Sequence, residues 1–283
     1  MIGAGLPSRL ALQDGMMTAV LTRPAGPHRR PFPPRAGWWY LLTVLLLLGM
    51  APTSHAEQPC PRSPSLRPLN LPNLRGALAA GQEAVIVALG SSSTEGIGAS
   101  SPSRAYPAIL QVELNRLLPS SHVAVVNRGV GGQDAAEELA RLERDAIAVR
   151  PQLVIWQVGA NGAMRHTEPA DFQRMVTEGV ERLTQAHIDV VLMDNQRSPR
   201  IIASPTHAAL EHVLSAVAAE EHTNLFSRAA LMDSWNGDGA PFARFIATDG
   251  LHHNDLGYAC FARVLAARIA DAVQTAFSLS ASR

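Results

Sequence analysis

Three consecutive serines, an asparagine between glycines, and an aspartate three residues ahead of a histidine are the residues of this chain whose types and spacing could do chemistry. The serines lie in Gly90-Ser91-Ser92-Ser93-Thr94-Glu95-Gly96, directly after the apolar run 84–89. A serine hydroxyl becomes a useful nucleophile only when a base takes its proton. Asp249-Gly250-Leu251-His252 offers such a base, because a carboxylate three residues away can orient the imidazole within one turn. Asn161, in Gly159-Ala160-Asn161-Gly162, could donate its amide to a developing negative charge. Gly129, Gly131 and Gly132, in the stretch 127–134, imply close backbone approach or a tight turn. Each cluster also has a plainer reading. The serines fit a turn after a core strand, and Asn161 fits a turn residue. His252 fits an exposed neighbour of a helix entry capped by Asn254 or Asp255.

The elements that must position these residues alternate along the chain. Apolar runs at 84–89, 123–127, 153–158, 189–193 and 224–226 read as strands, separated by segments of helical spacing. Ile109, Leu110, Leu114, Leu117 and Leu118 mark one helix face over 106–118, stopped by Pro119. Asp134 is placed to cap the next helix, whose charged face includes Glu137, Glu138, Arg141, Arg144 and Asp145. Pro169 suits the first turn of a helix reaching about 186, and Ser204-Pro205 suits the start of one reaching 221. The segment 227–248 reads as a loop before a last helix over 254–277. Strands joined by such crossovers form a parallel sheet covered on both faces. The expected fold is an α/β protein, a three-layer α/β/α sandwich with a five-stranded parallel sheet, flavodoxin-like. Every polar cluster falls just past a strand or just before the last helix, where open α/β sheets bind ligands.

In order, the four clusters resemble the conserved blocks of the SGNH (GDSL) hydrolases: G-x-S at Ser92, a glycine block ending at Gly132, G-x-N at Asn161, and D-x-x-H at Asp249 and His252. The resemblance spans about residues 84–258. It departs from the family at Ser91 and at Gly162, where the family usually carries Asp. Only the family register selects Ser92 over Ser91 and Ser93, and the Asp spacing selects His252 over His253. The resemblance implies the SGNH hydrolase fold and ester cleavage through an acyl-enzyme. Ser92 is then the nucleophile, His252 the base and Asp249 its orienter. Ser92, Gly132 and Asn161 supply the oxyanion hole, with no cofactor and no metal. The same residues would serve an O-acyltransferase or deacetylase acting on envelope glycans, and the two missing Asp residues leave a non-catalytic flavodoxin-like binding module as a third reading.

The expected substrate is a small-molecule or glycan ester. A polyanionic partner is not expected. The chain has 283 residues, 47% hydrophobic and 17% charged, and its 24 basic residues, all arginine, form no basic face or run suited to nucleic acid. The dinucleotide fingerprint and the P-loop lysine are both missing from the glycine-rich turns. The apolar run 38–50, preceded by Arg29, Arg30 and Arg35 and followed by Ser54-His55-Ala56, has the layout of a secretory signal with a long n-region over residues 1–56. The run is short for a membrane span, so no stable span is expected after processing, and an uncleaved anchor is the competing reading. Five of the 24 arginines and one of the 24 acidic residues lie in that segment, leaving a net charge of −4. Export to the periplasm or the extracellular space follows. Residues 57–80, with five prolines, form a lead-in, and 81–283 a single catalytic domain. In an oxidising compartment Cys60 and Cys260 invite a disulfide, although Cys260 within a helix pattern also fits a small buried hydrophobe. His207, His212 and His222 lack a partner set at metal-ligand spacing. Trp156 and Trp235 read as packing residues or pocket walls in preference to a carbohydrate platform, and 194–197, after the fourth strand, as part of the same crevice, helping to choose substrate.

Overall fold

The computed structural model describes residues 59–280. The signal-peptide expectation for residues 1–56 lies outside the described residues. Five strands, β1 (Ala84–Gly90), β2 (Val123–Gly129), β3 (Leu153–Gln157), β4 (Asp189–Met193) and β5 (Asn224–Phe226), form one parallel sheet in the order β2-β1-β3-β4-β5. Gly90 stands level with Gly129 and with Gln157, and Gln157 with Met193. The strands therefore release their following loops along one common edge, the carboxyl edge, which is where all four polar clusters emerge.

The helices are α1 (Pro72–Ala79), α2 (Ser92–Glu95), α3 (Tyr106–Leu117), α4 (Ala135–Ala140), α5 (Leu142–Asp145), α6 (Ala160–Met164), α7 (Pro169–Gln185), α8 (Pro199–Ile202), α9 (His207–Glu220), α10 (Arg228–Gly237) and α11 (Asp255–Ser280). Alternate strand residues feed two cores. Ile86, Ala88, Ile155 and Met193 pack with α1, α3, α10 and α11. Val87, Leu89, Trp156 and Leu192 pack with α4, α5, α7 and α9 on the opposite face. Period-two burial on both faces makes the strand sequences almost wholly apolar, as parallel sheets require. α7 shows the helical counterpart, with Phe172, Val176, Val180 and Leu183 buried at helical spacing.

Three elements differ from the sequence reading. The segment 227–248 is no loop. The Ser227 hydroxyl accepts from the Ala230 N–H and starts α10, which buries Leu231, Met232 and Trp235, and a 3₁₀ turn at Phe242–Phe245 follows. α9 starts at His207, because the Ser204 hydroxyl donates to the Ala163 carbonyl at 2.5 Å instead of capping the helix. Asp134 does cap α4, in a reciprocal box with Glu137, but the helix breaks at Arg141 and resumes as α5.

The lead-in lies against the domain. The Asn224 side chain accepts from the Asn70 N–H at 2.6 Å and donates to its carbonyl at 3.0 Å, covering the β5 edge. Cys60 and Cys260 form a disulfide across 200 residues, so the disulfide reading holds over that of an unpaired buried hydrophobe, and Cys260 is fully buried in α11. No helix among the described residues is long and apolar enough to cross a membrane.

Candidate active site

Ser92 opens α2, directly after the turn that leaves β1. Its Oγ lies 2.7 Å from His252 Nε2. On the other side of the ring, His252 Nδ1 lies 2.5 Å from Asp249 Oδ2. The second oxygen of Asp249 accepts from the backbone N–H groups of Leu251 at 2.9 Å and His252 at 3.0 Å, which folds the Asp249-to-His252 segment into a single tight unit. Burial alone would raise the Asp249 carboxyl, but the His252 ring and these two N–H groups outweigh it and hold the carboxyl below its usual range. An ionised Asp249 fixes the proton on Nδ1, so Nε2 faces Ser92 with its lone pair.

The neighbouring candidates are occupied elsewhere. Ser91 donates both its N–H and its hydroxyl to Gln157 Oε1 at 3.2 Å, and Ser93 is buried. Of the three serines, it is Ser92 whose hydroxyl lies within hydrogen-bond distance of an imidazole. His253 is fully buried, its Nδ1–H donates to the Phe245 carbonyl at 3.1 Å, and burial with the nearby Arg228 cation pushes its pKa down to about 3.

The glycine stretch after β2 lies against the serine turn. A Cβ on Gly129 would fall 2.0 Å from the Glu95 nitrogen, and one on Gly131 would fall 2.8 Å from Glu95 Oε2 and 3.8 Å from the Ser92 Cβ. Gly132 adopts φ +80°, which turns the loop toward α4. Both sequence readings of these glycines thus apply, to different residues. Asn161, in the first turn of α6, donates Nδ2–H to the Gln133 carbonyl at 2.8 Å and so sits beside the glycine loop. Arg165 braces that loop from outside, donating to the Gly132 carbonyl at 2.7 Å and pairing with Asp134 and Glu137.

Residues 194–197 do not line an open crevice. Asp194 accepts from Ser227 and from the Ala229 N–H at the start of α10; Asn195 and Gln196 are buried; and Arg197 pairs with Glu211 and Asp233. Their part is bracing, with Gln196 Nε2 donating to the Leu251 carbonyl at 2.8 Å beside His252. Trp156 and Trp235 are fully buried packing residues. Among the described residues no group of three His, Cys, Asp or Glu side chains is placed to hold a metal ion. The sequence reading missed two charged residues below the site, Glu138 and Arg141, by placing them on an exposed face. Both are buried, and Glu138 accepts from the Trp156 indole N–H at 2.8 Å. The spacing of Ala135, Glu138, Leu142 and Ala146 carried the signal, since it puts Glu138 in an apolar stripe.

Fold and site define a three-layer α/β/α protein with a hydrogen-bonded Ser, His and Asp set at the carboxyl edge of its sheet. The Non-GDSL lipase-like family model matches residues 59–275, and the chain belongs to that family. Esterase TesA of Pseudomonas aeruginosa is 31% identical over 102 residues, covering 36% of this chain, and the chain spans half the length of that relative. A two-domain esterase active on acetylated mannans superposes with a TM-score of 0.60 at 24% identity, over 74% of this chain and 55% of that one. Axe2, an acetylxylan esterase from Geobacillus stearothermophilus, gives 0.56 at 19% identity, over 66% of this chain and 94% of its own. At these identities the structural likeness bears on fold.

Proposed function

We propose that this protein is an exported serine hydrolase that cleaves carboxylic esters through an acyl-enzyme, with residues 81–283 as its catalytic domain. The observation that carries the reading is the continuous set of hydrogen bonds from Ser92 Oγ through His252 to Asp249. Ser92 Oγ attacks the ester carbonyl while Nε2 of His252 takes its proton. His252 then returns that proton to the leaving alcohol, and Asp249 stabilises the imidazolium between the two steps. Water, deprotonated by His252, releases the acid from Ser92. The oxyanion is held by the backbone N–H groups of Ser92 and Gly132 and by the Asn161 amide. Ser92 is the first residue of α2, so its N–H has no partner within the helix.

The substrate is a small-molecule or glycan ester. The activity of one structural neighbour on acetylated mannans, and the name of another as an acetylxylan esterase, favour including acetylated sugars among the first substrates tried. Export rests on the charged, apolar and small-residue sequence of segment 1–56 and is supported by the disulfide, which persists in oxidising compartments. Hydrolysis of a short-chain aryl ester tests the chemistry. Ser92→Ala should lower turnover by about 10⁴-fold or more. Undiminished hydrolysis in a folded Ser92→Ala protein would remove the assignment. Product analysis with a sugar acceptor present separates hydrolysis from transfer.

A further inference from the structure

Arg141 is almost fully buried where α4 gives way to α5, and all three of its nitrogens are engaged. Nη2–H donates to the Gly90 carbonyl at 2.8 Å. Nη1–H donates to the Arg128 carbonyl at 2.8 Å and to Asp145 Oδ2 at 3.0 Å. Nε–H donates to Gln133 Oε1 at 2.6 Å. Gly90 is two residues before Ser92, and Arg128 and Gln133 bracket the glycine loop that contains Gly132. The backbone carbonyl of Gln133 is the acceptor that holds the Asn161 amide. The Gly90 carbonyl also receives the Val130 N–H at 3.0 Å, so it is the point where serine turn and glycine loop meet.

We propose that Arg141 is a positioning residue for the oxyanion hole, a planar clamp that sets the separation of the Ser92, Gly132 and Asn161 donors without touching substrate. The inference rests on the hydrolase reading above. The fork geometry of a guanidinium suits the task, because its N–H groups leave in fixed in-plane directions and can hold several carbonyls at once. Lysine offers one mobile point charge and cannot reproduce this. Donor placement matters most in the transition state, since an oxyanion hole works through dipoles already aimed at the charge as it develops. The clamp therefore acts on kcat more than on KM.

The test is a double-mutant cycle on the full chain with an aryl ester, kcat and KM being measured separately. Arg141→Ala should lower kcat by about 10- to 100-fold with KM changed less than about threefold. Asn161→Ala should lower kcat by about 10²–10³. Groups that act through a common structure fail to combine independently, so the double variant should fall short of the product of the two losses by about tenfold. Arg141→Lys should recover only part of the loss, and it takes the place of Arg141→Ala in the cycle if the alanine variant does not fold. Losses that multiply, or a loss confined to KM, would overturn the clamp while leaving the hydrolase intact. A wild-type protein with no esterase activity would overturn both.

Discussion

The two edges of the sheet are built from similar materials and end up with opposite characters. At the amino edge lies a hollow of about 940 Å³, lined among others by Asn73, Gly76, Glu143, Arg150 and His187. It is roomy, yet the key polar groups beside it are bound to backbone. Asp189 accepts from the Asn73 and Leu74 N–H groups and fastens the start of α1, and Gln152 Oε1 accepts from the Val85 N–H at 2.7 Å. At the carboxyl edge residues from three separate segments come together: Ser92 after β1 is hydrogen-bonded to the Asp249–His252 unit, and Asn161 at the start of α6 is held against the glycine loop. The comparison teaches that a site is located by a hydroxyl beside an oriented base, and that volume alone is a poor guide.

After the loss of Ser92 itself, the largest effect that would break this contrast is at Asn161. Asn161→Ala should cost about 3–4 kcal/mol of transition-state stabilisation, read as a 10²–10³-fold fall in kcat with little change in KM. A KM effect alone would move Asn161 from the oxyanion hole to ground-state binding. Next comes the disulfide, which joins the lead-in to α11 and touches neither Ser92 nor His252. Reduction, or Cys60→Ala, should remove about 2–4 kcal/mol of stability in urea unfolding while leaving kcat at a temperature well below unfolding within about twofold. A large loss of kcat in the folded, reduced protein would tie the lead-in to the site.

His253 sharpens the contrast between neighbours within the carboxyl edge. Its folded pKa, pushed down to about 3 by burial, lies below the ordinary 6.5. Between those values the unfolded chain binds the proton and the folded chain does not. The stability from this residue is thus fully present above pH 6.5 and is lost as pH falls toward 3, at about 1.4 kcal/mol per pH unit. Asp194, whose burial pushes its carboxyl up to about 6, acts in the opposite sense, its contribution being lost as pH rises from about 4 to 6. The check is therefore the difference between parent and His253→Phe, which should narrow steadily from pH 6.5 to pH 4. A difference independent of pH would mean that His253 takes up a proton in the fold. The smallest effect is at the amino edge. A Cβ on Gly76 of α1 meets nothing within 4 Å, so Gly76→Ala should stabilise the protein by about 0.5–1 kcal/mol and leave turnover unchanged.

Much of this was legible in the sequence, for identifiable reasons. Strands buried on both faces leave unbroken apolar runs, and β4 and β5 fall at 189–193 and 224–226, where the pattern puts them. The chemical residues stand out because serine, asparagine and histidine interrupt those runs at fixed points. What stayed hidden is polar structure that looks like surface. Arg141 and Glu138 have the composition of a solvated helix face, and only the tertiary fold shows that one holds carbonyls and the other an indole. α10 was hidden in another way, since Gly237 at its end, with Gly239 and Pro241 close behind, gives 227–248 the look of a loop, although Leu231, Met232 and Trp235 share a helical face.

The central claim is that Ser92, and neither of its neighbours, carries the activated hydroxyl. Labelling the folded protein with a fluorophosphonate and mapping the adduct by peptide mass spectrometry tests it directly. The account predicts a single adduct on Ser92, with labelling lost in His252→Ala. An adduct on Ser91 or Ser93, or labelling that survives His252→Ala undiminished, would contradict it.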